Sequence, residues 1–173
     1  LVEGLCDPRL LQYLLRQPES AILFTGGGLV PANLLSLKHL RFLHIHPGFL
    51  PDIRGADGVL WSSLLTGHTS ATCFYMSPEI DAGDVIYPCW LPSLSLPSKF
   101  NSVERKSIYR AVYGYIDPWV RSFVLRDVVE RNREFLRLNS YVQDESKGNT
   151  FHFMSRRLQQ AAFHRIFEDK NSS

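Results

Sequence analysis

Apolar positions recur along this chain in two rhythms. Leu10, Leu11, Leu14 and Leu15 follow Asp7-Pro8 at helical spacing, with Asp7 suited to an N-cap and Pro8 to a first helical residue. That helix is expected to stop before Pro18. Residues 21–25 are a short apolar run ending in Gly26-Gly27-Gly28, which predicts a buried strand entering a turn. Residues 31–37 fit a short helix, and residues 41–46 fit a second strand ended by Pro47-Gly48. Two prolines and two glycines make residues 47–57 a loop. Asp57-Gly58 then opens a helix whose expected buried face is Leu60, Trp61, Leu64 and Leu65, with Gly67 as its stop.

Further strands are predicted at 71–76 and 84–90, around a turn at 77–83, with a loop at 91–100. Residues 102–129 are helical in pattern, interrupted at Asp117-Pro118. Residues 138–150 are polar and irregular, and 151–168 predict a last amphipathic helix. No internal repeat is visible. Strands alternating with helices predict an α/β three-layer sandwich with a mostly parallel sheet. Two units are expected, a main domain over 1–132 and a C-terminal extension over 133–173. Ligands of such sheets bind at carboxyl ends of strands, which directs attention to Gly26-Gly27-Gly28 and to residues 44–48.

Composition narrows the partners. With 19 basic and 17 acidic residues in 173, no basic run is dense enough for a nucleic-acid footprint. No apolar stretch has the length of a membrane span. Three widely spaced cysteines, Cys6, Cys73 and Cys89, give neither a disulfide framework nor a metal knuckle, so a reducing cytoplasm is expected. Cys73, in mid-strand, should be a buried small hydrophobe.

The chemistry concentrates in His44 and His46. Two residues apart on a strand, they should share a face. If the turn carrying Asp81 folds over the same sheet edge, its carboxylate can orient an imidazole and raise its pKa. A donor imidazole beside a developing oxyanion serves acyl transfer. The same three residues also fit a facial triad for iron or zinc, so a metal-dependent hydrolase stays open at this point.

The stretch His44-Ile45-His46-Pro47-Gly48-Phe49-Leu50-Pro51, with Asp81-Ala82-Gly83-Asp84 following, resembles the formyltetrahydrofolate-dependent formyltransferases. The family motif is Asn-x-His-Pro-Ser-x-Leu-Pro and, downstream, Asp-x-Gly. Arg54-Gly55-Ala56, the Trp61 helix and Gly67 also match. The resemblance implies a Rossmann-like formyltransferase fold, with 10-formyltetrahydrofolate as formyl donor and an amine of a small molecule as acceptor. It makes His46 and Asp81 the catalytic pair, with Asp81 orienting His46. His44 stands where the family has asparagine and would donate a second hydrogen bond to the oxyanion. Gly48 replaces the family serine. Gly28, Leu29 and Val30 would line one wall of the folate pocket, and Glu79 and Ile80 the other. Arg54 would anchor a phosphate or carboxylate of the substrate.

The family also carries strands before the point where this chain starts. Their lack would leave a sheet edge open, so poor folate binding and dimerisation or aggregation are expected. Tyr109, Tyr113, Tyr115 and Trp119 should pack a helix on the sheet or form an aromatic wall. Arg156, Arg157, His164 and Arg165 give the last helix a basic face. Two rival readings remain, a hydrolase that deformylates the folate and a folate-binding module without turnover.

Overall fold

The computed structural model describes residues 2–26, 28–96 and 103–167. Its centre is strand β4 (Thr69–Tyr75), in which all seven residues are buried. Its first five residues are threonines or small residues, so both faces accept close packing there. The sheet order is β1 (Ser20–Leu23), β2 (Leu40–His46), β4 and β5 (Val85–Leu91). β1 is only half-buried because it forms one edge. Pro88, which lacks an N–H, is tolerated in β5 because that strand forms the other edge.

The sheet is mixed, which corrects the largely parallel expectation. β1 and β2 run parallel, whereas β2–β4 and β4–β5 are antiparallel. The turn from Met76 to Asp84 is too short for a crossover, so β5 must return antiparallel beside β4. The α/β class and the layering are as expected. On one face, Val120, Val124 and Val128 of α5 (Asp117–Arg131) cover Leu43, Ile45, Ala71 and Cys73. On the other, Leu34 of α2 (Ala32–Leu35) packs on Leu40 and Phe42, and α3 (Gly58–Thr66) lies over β4. α1 (Pro8–Leu14) adds Leu10, Leu11 and Leu14 to the α2 cluster.

The buried face of α3 differs from the expected one. Val59, Leu60, Ser62 and Ser63 are buried, while Leu65 is 56% exposed. The cause is the partner surface: Ser62 Oγ meets Ser70 Oγ of β4 at 2.7 Å, so two small hydroxyls sit where helix and sheet touch. Behind α3 lies α6 (Arg156–Phe167), whose Ala162, Phe163 and Ile166 pack on Val59 and Leu60.

The helical pattern expected from 102 onward becomes α4 (Arg105–Ala111), a π-helical stretch Val112–Ile116, and α5. Residue 102 and residues 97–100 of the expected loop lie outside the described residues. Two unexpected short strands pair parallel: β3 (Ile53–Gly55) in the expected loop, and β6 (Asn149–Phe151), which takes Phe151 from the expected last helix, so that α6 starts only at Arg156. That pairing and the α3–α6 contact join the C-terminal segment to the body of the sheet. None of the described helices is long and apolar enough to cross a membrane.

Candidate active site

Beyond the carboxyl ends of β1 and β2 the chain leaves a cavity of about 330 Å³. Its walls include Gly28, Leu29 and Val30 on one side and Glu79, Ile80 and Asp81 on the other. His44 also lines it. The structure therefore brings together seven of the residues singled out from the sequence. Leu29 is 71% exposed and Ile80 55%, so the two walls present uncovered apolar surface to whatever enters.

Asp81 is placed by backbone geometry. It sits at φ 53°, a left-handed conformation that aspartate tolerates better than most residues. Its Oδ2 accepts from the Gly55 N–H at 2.9 Å and lies 3.4 Å from His46 Nδ1. The turn is fastened from outside by Gln143, whose Nε2 donates to the Asp81 carbonyl at 2.9 Å and to the Gly83 carbonyl at 2.6 Å. Gly83 is obligatory there, because a Cβ would stand 1.8 Å from the Tyr75 carbonyl oxygen.

The two histidines are held differently. His46 is buried, and its Nε2 lies 2.9 Å from the Ile53 carbonyl. A carbonyl only accepts, so Nε2 carries the proton. Both nitrogens of His46 thus face protein acceptors, and the ring does not line the cavity. Gly48 permits this arrangement: a Cβ at that position would stand 2.4 Å from the Ile53 oxygen and 2.6 Å from His46 Nε2. The donor role expected of His46 toward a reacting oxygen finds no free N–H in this geometry.

His44 Nδ1 lies 2.7 Å from the Phe24 carbonyl, so Nδ1 carries the proton there. Burial pushes the imidazole below its ordinary value of 6.5, outweighing the Phe24 bond and Asp81, while His46 and Arg121 reinforce the shift. That burial favours the neutral ring, which lies edge-on to Phe74 and tilted against Phe24.

Arg54 lies elsewhere. The expected phosphate anchor is buried, and its Nε and Nη2 donate to Gln143 Oε1 at 3.3 and 3.1 Å. It does not line the cavity. Its partner lies 89 residues on, a pairing that no local pattern announces.

Sequence reasoning placed Tyr113 in helix packing or an aromatic wall but missed Asp117 and Arg121, which line the cavity with it. Tyr113, Asp117 and Arg121 recur every four residues, which puts them on one helical face, and that spacing was the available signal. Arg121 Nη2 meets Asp117 Oδ2 at 2.7 Å, whereas its buried Nε has no partner among the described residues. Burial raises the Asp117 carboxyl above the usual carboxylate value, and Arg121 and the two histidines oppose that rise. Tyr113 is tied to the core: its hydroxyl donates to Asp57 Oδ1 at 2.6 Å, as does Tyr109 at 2.8 Å. Asp57 Oδ2 accepts from the Met154 N–H at 2.7 Å. Burial pushes the Tyr109 phenol up to about 12 and Tyr113 higher still. Tyr115 and Trp119 point largely to solvent.

The facial triad does not form. Among the described residues no three His, Cys, Asp or Glu side chains converge as a metal site. The physical reason is that both nitrogens of His46 face protein groups, Nε2 the Ile53 carbonyl and Nδ1 the Asp81 carboxylate, and its ring stands outside the cavity that His44 lines.

No protein-family model matches the chain. Among curated proteins it is 31% identical over 86 residues to the methionyl-tRNA formyltransferase of Syntrophus aciditrophicus, covering 48% of this chain and 27% of that protein. The chain thus spans about a quarter of the length of the curated relatives it matches. Among solved structures, a sugar N-formyltransferase from Shewanella sp. superposes with a TM-score of 0.56 at 17% identity, over 97% of this chain and 68% of that one. HypX from Aquifex aeolicus, in complex with tetrahydrofolic acid, superposes with a TM-score of 0.50 at 24% identity, over 88% of this chain and 24% of that one. By sequence the chain is similar to methionyl-tRNA formyltransferases over nearly half its length, and it shares its fold with a sugar N-formyltransferase over most of it.

Proposed function

We propose that this chain forms the donor site of a formyltransferase, which moves a formyl group from 10-formyltetrahydrofolate to an amine of a small molecule. The observation that carries this reading is the cavity itself. Residues 28–30 and 79–81 face each other across the end of β2, with His44 between them. A flat folate ring fits between Leu29 and Ile80, where apolar burial favours it and Gly28 lets it approach the backbone. HypX, which shares the fold, binds tetrahydrofolic acid. Asp81 and Asp117 both line the cavity, so an amine acceptor meets carboxylates rather than cations alone. An amino sugar is favoured as acceptor by the fold relative that acts on sugars. His46, held between Ile53 and Asp81, serves to fix the Asp81 carboxylate at the cavity edge. The free thiols of Cys6, Cys73 and Cys89 suit a reducing cytoplasm.

The test is calorimetric titration with a non-reactive 10-formyltetrahydrofolate analogue, followed by transfer assays with amino-sugar nucleotides and with methionyl-tRNA. The expected outcome is a Kd on the order of micromolar, about −8 kcal/mol, weakened by Asp81→Asn. Folded protein that fails to bind the analogue at millimolar concentration would refute the reading. Transfer to methionyl-tRNA alone would refute the small-molecule acceptor.

A further inference from the structure

We propose that His44 is the general base of this site, its Nδ1–H committed to the Phe24 carbonyl and its unprotonated Nε2 open to the cavity. The inference deepens the formyl-transfer reading and rests on it. Four observations carry it. The 2.7 Å contact to a carbonyl fixes the tautomer, because that oxygen can only accept. Nε2 has no hydrogen-bond partner among the described residues, and His44 lines the cavity. His46, the other imidazole, has both nitrogens engaged and does not line it. Gly48, the other departure from the family motif, is what lets the Ile53 carbonyl close over His46 Nε2 and so keeps that ring engaged.

The charged and titratable groups around the ring come from four elements, the β4–β5 turn, β2, the π-helical stretch and α5. Asp81, in the β4–β5 turn, favours the imidazolium once a proton arrives. His46 on β2 and Arg121 on α5 oppose it. Asp117 and Tyr113, also on the cavity wall, stand across from it. A base that is neutral at rest and faces a carboxylate can accept a proton and keep it briefly.

The step balances as follows. The amine nitrogen bonds to the formyl carbon, and the carbonyl electron pair moves to oxygen. The amine proton passes to His44 Nε2. The carbonyl then re-forms, the bond from carbon to the folate nitrogen breaks, and Nε2 returns its proton to that nitrogen. The products are a formamide and tetrahydrofolate, with His44 restored. An unprotonated Nε2 cannot donate to the oxyanion, so His44 does not repeat the role of an asparagine amide.

His44→Asn separates the two roles, since its amide can keep the bond to Phe24 but carries no base. In the parent, the imidazole nitrogen spectrum should show the Nδ1–H tautomer, and kcat should rise with pH through the His44 pKa to a plateau. In His44→Asn, kcat should fall about 10²- to 10⁴-fold and that limb should vanish. His44→Gly should recover rate on addition of imidazole. An Nε2–H tautomer overturns the proposal. So does a His44→Asn variant that transfers formyl as fast as the parent. Failure of the parent to bind the folate analogue, with the Nδ1–H tautomer present, overturns the formyl-transfer reading and the catalytic role with it.

Discussion

Thr72→Val tests how the loop after β2 is held. Thr72 is fully buried in β4, paired in register with His46. Its hydroxyl donates to the Gly48 carbonyl at 2.7 Å and accepts from the Leu50 N–H at 3.0 Å. One side chain thus satisfies two backbone groups of the loop that carries the histidine motif. Valine keeps the shape and removes both bonds. Each buried group left unpaired costs about 1–3 kcal/mol, and the added buried methyl returns about 0.8 kcal/mol. The expected net loss is about 3 kcal/mol, a large fraction of an ordinary folding free energy. For a chain of this size that lowers Tm by about 6–12 °C. Urea titration should show a lower midpoint at unchanged slope. Thr72→Ser keeps the hydroxyl and loses a methyl, so it should cost only about 1 kcal/mol. A valine variant within about 0.5 kcal/mol of the parent, or a serine variant less stable than valine, refutes the argument.

Gly48→Ala should destabilise by about 1–3 kcal/mol, because the Ile53 carbonyl must retreat from His46; histidine spectra should report the broken Nε2 bond. Arg54→Ala and Gln143→Ala should each lower stability, and their double-mutant cycle should give a coupling of about 1 kcal/mol or more. Independent effects, or a selective loss of affinity for phosphorylated acceptors in Arg54→Ala, would return Arg54 to a substrate role. Stability should fall as pH drops below about 6.5. The unfolded chain protonates His44 from that value down, whereas the folded chain resists until its lower pKa is reached. Denaturant midpoints across this window should decline less in His44→Asn than in the parent.

Much of the site was legible because its parts are local. His44 and His46 alternate in phase with a strand, Asp81 sits in a glycine turn, and residues 28–30 and 79–81 follow strand ends. Helix α1 is written in its Asp7 cap and apolar spacing, whereas Asp57 stands at the start of α3 without capping it, its carboxylate going to Tyr109, Tyr113 and Met154. What failed depended on partners far away in sequence. Strand direction is not encoded in a strand's own composition, so β4 and β5 read like parallel strands. Ser62 and Ser63 look like an exposed face until Ser70 is placed beneath them. Arg54 looks like a free loop cation until Gln143 reaches it. The tautomers of the two histidines depend on the carbonyls of Phe24 and Ile53, which sequence types cannot distinguish.

The π-helical stretch Val112–Ile116 works as a phase adjuster between two helices with separate duties. Each residue of an α-helix advances the face by about 100°. Winding this turn more widely therefore resets the azimuth of everything after it. Upstream, α4 contributes Ile108 to the cluster shared with α3 and α6. Downstream, α5 must set its valines on the sheet and Asp117 and Arg121 on the cavity at once. Removing one residue from this stretch would leave the composition of both helices intact yet turn α5 by about a quarter of a revolution. Valines and ion pair would rotate away together. The cavity wall is thus indexed to the hydrophobic core by the pitch of a single turn, and tolerance to length change there should be far lower than to substitution.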